Sequence, residues 1–441
     1  MTTPSPTELI VRNGRVIDPS QNIDRACDVL VRQGRIVAVG DNLPAPASDA
    51  RIVDATGCVV APGFIDLHCH LREPGKEYAE TIESGGRAAA AGGFTSVLSM
   101  PNTRPVNDNA AVTRFIIETA RKLSPVNVFP VGAITEGSKG EQLAPFAEMQ
   151  EAGAVALTDD GLPVMDAGLM RHAMSYAAGL GLTVIDHAED LNLTGTGQMH
   201  EGYTAVRLGL AGISGASEEI MVGRNILLAA ATGAHYHVAH LSTAGALEMV
   251  REAKRRGLNV TCEVTPHHFS LIDEDVKDYD TNYKMKPPLR SRADREALLA
   301  GFADGTVDAI GTDHAPHAGS EKMQEFAQAP FGIIGLETAL GLALDRLVQT
   351  GRITLGRLVE LMAVNPARIA GLDKTGRGTL KPGSVADITI FDPERNWTYD
   401  VNQTFSRSKN SPFHGTSMRG GPVATIVAGN LVWNVERKSS V

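Results

Sequence analysis

Four histidines and two aspartates stand at the ends of apolar, strand-like runs in this chain. The stretch FIDLHCHLRE, residues 64 to 73, carries Asp66, His68, His70 and Arg72 at every second position. Side chains alternate faces along a strand, so these four are expected on one side, with Ile65, Leu67, Cys69 and Leu71 on the other. The same residue types close four more runs: AVALTDDG at Asp160, LTVIDHAED at His187, HYHVAHLST at His240 and VDAIGTDHAPH at Asp313. One histidine on an apolar strand is ordinarily a satisfied core residue, but a set gathered from five strand ends reads as a shared site.

Imidazole and carboxylate oxygen suit Zn(II), and two histidines at i, i+2 can hold one ion from the same side. A bridging carboxylate allows two ions, and a two-metal site that clamps a hydroxide supports hydrolysis or its reverse. Neither a phosphate-cradling P-loop nor a dinucleotide fingerprint occurs, so phosphoryl and hydride transfer lack support. His172, His200, His235 and His414 have no ligand-like partner in sequence and read as structural or surface groups. His267 and His268, in VTPHHFS, follow a strand end and fit either packing or support of the site.

Something must hold these residues together. Strand candidates at 62–71, 94–99, 126–133, 154–159, 182–187, 235–240, 258–264 and 307–312 alternate with helical stretches such as NAAVTRFIIETARKL and SRADREALLAGFADG. Such βα units predict an α/β fold, a (β/α)8 TIM barrel over 62–377, with the site at the C-terminal strand ends. Residues 8 to 60 instead read as short strands joined by Asn-Gly and Gln-Gly turns, and ADITIFDP and PVATIVAGNLVWN repeat that texture near the end. A small composite β-sandwich from 1–61 and 378–441 is therefore expected.

Composition narrows the class further. The 441 residues are 43% hydrophobic and 21% charged, ordinary for a globular protein, and the net charge of −10 argues against nucleic-acid or anionic-membrane partners. A small-molecule substrate is the better expectation. The four cysteines show no CxxC spacing, and the start MTTPSPTEL lacks a basic, apolar leader, so a cytoplasmic protein is expected.

Together, DLHCHLREPG, MPNTRPV, TDDG, DHAED, HVAHLST, EVTPHH, GTDHAPH and APFGIIGLET resemble the dihydroorotases of the bacterial type I class, within the amidohydrolase superfamily. The resemblance implies reversible conversion of N-carbamoyl-L-aspartate to L-dihydroorotate and water, in pyrimidine synthesis. It implies two zinc ions bridged by Asp160 and a hydroxide, with His68 and His70 on one ion and His187 and His240 on the other. Asp313 matches the catalytic acid/base. Arg72, Asn102 and His317 match groups that hold substrate carboxylate, and Phe331 with Gly332 match the backbone segment against the ring. A homodimer is expected, with aspartate transcarbamoylase as a possible partner.

Where the family has KMNPP this chain has KMKPP, so Lys286 stands in place of a substrate-binding Asn. Lys286 is expected to turn toward solvent or an acidic neighbour, Asp159 to be a turn residue, and residues 317 to 331 to form a lid outside the eighth helix. Two rival activities are an allantoinase or hydantoinase, which resemble this chain but bridge their metals with a carboxylated lysine, and an inactive scaffold for aspartate transcarbamoylase. LTDDG offers no lysine, and every ligand position is kept.

Overall fold

The computed structural model describes residues 8–435. The start of the chain at 1–7, from which the lack of a leader was read, lies outside the described residues, as do 436–441. All eight expected barrel strands form: β1 (Phe64–Cys69), β2 (Phe94–Ser99), β3 (Asn127–Gly132), β4 (Ala156–Leu157), β5 (Thr183–Asp186), β6 (Tyr236–Val238), β7 (Val260–Val264) and β8 (Ala309–Ile310). They lie in chain order and each adjacent pair is parallel.

Helices return the chain after each strand, and the sequence marks their ends. Thr81, Asn109, Asp166, Thr243 and Ser291 each accept a first-turn backbone N–H through the side chain, satisfying donors that a helix start leaves free. The helix Ala110–Leu123 buries Val112, Ile116 and Ala120 at four-residue spacing, the stripe that docks it on the sheet.

β1 departs from the expected regular alternation. Its ladder with β2 shifts between Phe64 and Ile65 and again between Asp66 and Cys69. Ile65 and Leu67 join an interior cluster with Leu98, Val131, Ile185 and Ala309, whereas Cys69 and Leu71 pack in the layer under the helices. Irregular pairing of this kind re-aims side chains, so the strand does not keep two uniform faces.

Asp66 closes the barrel. Its carboxylate accepts from Thr312 N (2.8 Å) and Thr312 Oγ1 (2.6 Å), and His70 N donates to His314 O (2.9 Å) beside it. Burial pushes the Asp66 carboxyl up to about 7.

Both chain ends build the second unit. One sheet holds Arg35–Gly40, Asp28–Arg32, Glu8–Arg12 and Arg51–Asp54; the other runs Asn430–Asn434, Ser417–Val427, Ile388–Thr398, Val59–Pro62, Arg15–Asp18 and Ile23–Ala26. Leu9, Val11, Val29, Val31, Val60, Ile388 and Ile426 form its buried core. Val59–Pro62 pairs with Ile388–Thr398 and leads within two residues into β1, which fixes the barrel against this unit.

Candidate functional site

The strand ends bring the expected donors together around Asp160. His68 Nε2 lies 3.3 Å from Asp160 Oδ1 and 3.5 Å from Asp313 Oδ1. His70 Nε2 lies 3.4 Å from Asp160 Oδ2 and 3.2 Å from Asp313 Oδ1. On the other side, His187 Nδ1 and His240 Nε2 face each other at 2.9 Å, and are 3.7 and 3.6 Å from Asp160 Oδ1. Two overlapping groups, His68 with Asp160 and His240, and His68 with His70 and Asp313, are arranged to hold a metal ion.

These donors fit a cation on their own chemistry. His68 Nε2 and Asp160 Oδ1 are buried and make no hydrogen bond, a costly state for polar atoms that a metal would relieve. Burial pushes the Asp160 and Asp313 carboxyls up, but the histidines around them outweigh it and hold both below the usual carboxylate range. The same carboxylates raise His68 despite its burial. A field that draws a proton onto a buried imidazole equally draws a metal ion, and the nitrogen and oxygen donors suit zinc.

For three of the four imidazoles the far nitrogen also faces an oxygen, whereas His240 Nδ1 is buried without a hydrogen-bond partner. His70 Nδ1 meets Asn102 Oδ1 at 2.9 Å, His68 Nδ1 meets Glu263 Oε1 at 3.3 Å, and His187 Nε2 meets Glu189 Oε2 at 3.3 Å. An acceptor there keeps the proton on that nitrogen and leaves the opposite lone pair free for a metal. Glu263 also faces His237 Nε2 at 3.4 Å, and a Cβ on Gly311 would come within 2.4 Å of its carboxylate, so glycine is needed to leave room. Glu263, His237 and Glu189 escaped the sequence reading. The alternation of His235 with His237 and of Thr261 with Glu263 was the available signal.

Three of the gathered residues sit in the left-handed backbone region: Arg72 (φ 61°), His240 (φ 33°) and Asp313 (φ 42°). Such conformations disfavour side-chain-bearing residues, cost on the order of 1–3 kcal/mol each, and cluster at functional sites.

A cavity of about 190 Å³ opens beside the donors. Arg72, Asn102, Lys286, His317 and Phe331 line it, and its size suits a compact ligand rather than a drug-sized one. Arg72 Nε donates to Pro316 O (3.1 Å), which fixes the guanidinium plane. His317 Nε2 donates to Phe331 O (2.8 Å), and burial together with Arg72 pushes its pKa down to about 2, so the ring is neutral. Gly332 lies where a Cβ would reach Ala315 O and His317 Cδ2 at 2.6 Å.

Lys286, in the cavity wall, pairs with an acidic neighbour: its Nζ is 3.0 Å from Glu189 Oε2 and 5.4 Å from the Phe331 ring centre. Asp159 points away from the donors and accepts from Ile134 N (2.8 Å), Thr135 N (3.1 Å) and Thr135 Oγ1. His268 is bonded to Thr265 Oγ1 (2.7 Å) and Pro287 O (3.0 Å), while His267 Nε2 is buried without a partner. His172 and His414 are exposed, and His235 bonds Thr183 and Thr261.

The 317–331 segment stands apart from the helix Ala339–Ala343 and is anchored by two buried lysines. Lys322 Nζ donates to Thr281 O and Pro330 O, and Lys284 Nζ to Phe326 O and Ala329 O. A larger cavity of about 430 Å³ lies near the N-terminal end of β3, but no histidine lines it and its Arg377 is already beside Asp387 at 3.4 Å.

A family model described as dihydro-orotase-like matches residues 57–246. Over 432 residues the chain is 60% identical to a dihydroorotase from Solibacter usitatus, covering 98% of this chain and 99% of that one. The chain belongs to the dihydroorotase family. A dihydroorotase from Geobacter metallireducens is 54% identical over 425 residues, 96% of this chain and 99% of the relative. Among solved structures, the dihydroorotase-family fold seen here is similar to an L-hydantoinase (dihydropyrimidinase) from Arthrobacter aurescens, with a TM-score of 0.87 at 27% identity over 97% of this chain and 96% of that one. A dihydropyrimidinase from Brevibacillus agri gives a TM-score of 0.84 at 25% identity, over 97% and 95%. Among the described residues no helix is long and apolar enough to cross a membrane.

Proposed function

We propose that this chain is a zinc-dependent dihydroorotase of the bacterial type I class, interconverting N-carbamoyl-L-aspartate and L-dihydroorotate at two zinc ions that His68, His70, Asp160, His187 and His240 would hold. The observation that carries the reading is the meeting of His68, His70, His187, His240 and Asp313 around Asp160, beside a small cavity that holds Arg72 and Asn102. Zinc bound there would supply Lewis acidity, polarising an amide carbonyl and making water acidic near neutral pH.

The chain's own residues do the rest. Arg72, already oriented by Pro316 O, offers its two terminal amino groups to a substrate carboxylate, and Asn102 offers its amide N–H2 because its oxygen is taken by His70. Asp313, ionised at neutral pH and 3.2 Å from His70 Nε2, is the base that accepts a proton from attacking water in the hydrolytic direction. It then hands that proton to the departing ring nitrogen. Cyclisation retraces the path: Asp313 removes the ureido N–H proton as that nitrogen attacks the carboxyl carbon, and returns it to the leaving oxygen. Phe331 and Gly332, beside His317, form the surface on which the ring rests and exclude water from that face.

The division at 62 and 377 into barrel and composite domain belongs to the same reading, as do a homodimer, a cytoplasmic setting and an aspartate transcarbamoylase partner. The test is turnover of L-dihydroorotate, allantoin and hydantoin by protein stripped with a chelator and then given zinc back. L-Dihydroorotate should be the preferred substrate, lost on stripping and regained with zinc. Full activity in metal-free protein, or preference for allantoin or hydantoin, would end the reading.

A further inference from the structure

Residues 404–413 lie in the C-terminal part of the chain, yet they are fastened to the barrel at four buried points. Glu337 accepts from Thr404 Oγ1 and Phe405 N (2.7 Å). Glu80 accepts from Ser406 Oγ and Arg407 N (3.1 Å), and the oxygen that takes Ser406 also meets His314 Nε2 at 3.2 Å. Asn410 is another of these points, and the only one of the four whose side-chain bonds all go to the loops that enclose the cavity.

Asn410 is 3% exposed. Its Oδ1 accepts from His317 N (3.1 Å), and its Nδ2 donates to Ala315 O (2.9 Å) and Gly332 O (3.0 Å). Its own carbonyl accepts from Ile334 N (3.0 Å). His317 reaches back across to Phe331 O, so the bonds form a closed ring through both loops. The site demands one acceptor and two donors in a single planar group. Asparagine supplies that set; aspartate lacks the donors, and glutamine is one methylene too long.

We propose that Asn410 is a positioning residue for substrate: it sets the spacing between the Ala315–His317 and Phe331–Gly332 loops, and so lets the C-terminal segment govern substrate affinity without touching substrate. This rests on the reading of the cavity as the dihydroorotate site. Without the Asn410 amide, a backbone N–H and two carbonyls lose a buried partner, and the two loops are free to part.

The control lies in the same segment. Ser408 is equally buried, but its Oγ donates to Ala79 O (2.7 Å), outside the cavity. With wild-type, Asn410→Ala and Ser408→Ala enzymes loaded with zinc, thermal stability should fall in both variants. KM for L-dihydroorotate should rise about tenfold or more in Asn410→Ala alone, with kcat changed by less than about threefold. An unchanged KM in Asn410→Ala, or an equal rise in Ser408→Ala, overturns the proposal. A purely structural role would lower the active fraction, and hence kcat, at constant KM.

Should Asn410→Ala fail to fold, hydrogen exchange on the wild-type decides. Saturating N-carbamoyl-L-aspartate should slow exchange in 404–413 together with 315–334. Protection of 315–334 without 404–413 overturns the inference. A wild-type enzyme that does not turn over L-dihydroorotate at all would instead fail the functional reading beneath it.

Discussion

Glu263→Gln removes one charge from the centre of the barrel and changes almost no volume. The carboxylate now faces two imidazoles, His68 Nδ1 at 3.3 Å and His237 Nε2 at 3.4 Å, and burial is outweighed by those rings, which bring its pKa down to about 2. Glutamine has one acceptor oxygen and one amino group, so it can serve only one of the two as before. If the oxygen stays with His68, His237 can shift its proton to Nδ1, where Thr261 Oγ1 waits at 2.8 Å. The cost is then one charge-assisted hydrogen bond, about 1.5–3 kcal/mol. If the amino group faces His68 instead, that ring must keep its proton on Nε2, the nitrogen aimed at Asp160, and it cannot bind metal. The first arrangement is the cheaper. Loss of an outer partner of a metal-binding histidine costs about 10–100-fold in metal affinity, or about 1.4–2.8 kcal/mol, which agrees with the loss of one such bond. Competition of the metal-free protein with a chromogenic zinc chelator reads this directly. A folded Glu263→Gln protein whose zinc affinity stays within about twofold of wild-type would refute the reasoning.

Three further outcomes follow from the same geometry. Asp159→Ala should lower thermal stability, since it leaves Ile134 N and Thr135 N buried without a partner at about 1–3 kcal/mol each, but keep metal content; Asp160→Ala should lose metal, by elemental analysis. Because the Lys286 ammonium is bound to Glu189, Lys286→Ala should reduce kcat/KM by less than about tenfold, or about 1.4 kcal/mol; a larger loss would show that it reaches substrate. Burial, reinforced by Lys284, lowers Lys322 from 10.5 to about 7, so the native state carries a penalty when this lysine is charged. That penalty is full below about 7 and relieved as pH rises toward the unfolded value of 10.5, so the stability of wild-type relative to Lys322→Met should increase across that window in urea titrations. A flat difference would count against a buried ammonium there.

The barrel was legible because the strands are short apolar runs alternating with helices, several of them capped, and periodicity reports both directly. The gathered histidines and aspartates were legible for a related reason: a parallel barrel leaves strand ends as the one place where polar groups can gather. The register shifts in β1 were not legible, since they arise from pairing with β2 and from closure on Thr312 rather than from local residues. Glu263 and Glu189 were visible as letters but not as partners, because their meaning depends on which nitrogen of His68 or His187 they face. Asn410 was out of reach altogether. It lies 95 and 78 positions from the carbonyls it binds, in a stretch whose texture announces neither helix nor strand.

The closure made by Asp66 has a bearing on how the protein comes into being. Asp66 and Thr312 are 246 positions apart, and between them lies every other barrel strand. While the chain is still emerging from a ribosome, His68 and His70 are made early and Asp313 last, so no partial product owns the whole donor set. The His187 and His240 pair can assemble sooner, on adjacent strands β5 and β6. Assembly of the full donor set is thereby tied to completion of the barrel. A chain arrested before β8 should bind zinc more weakly than the full chain, and full affinity should appear only when the final strand docks against the first.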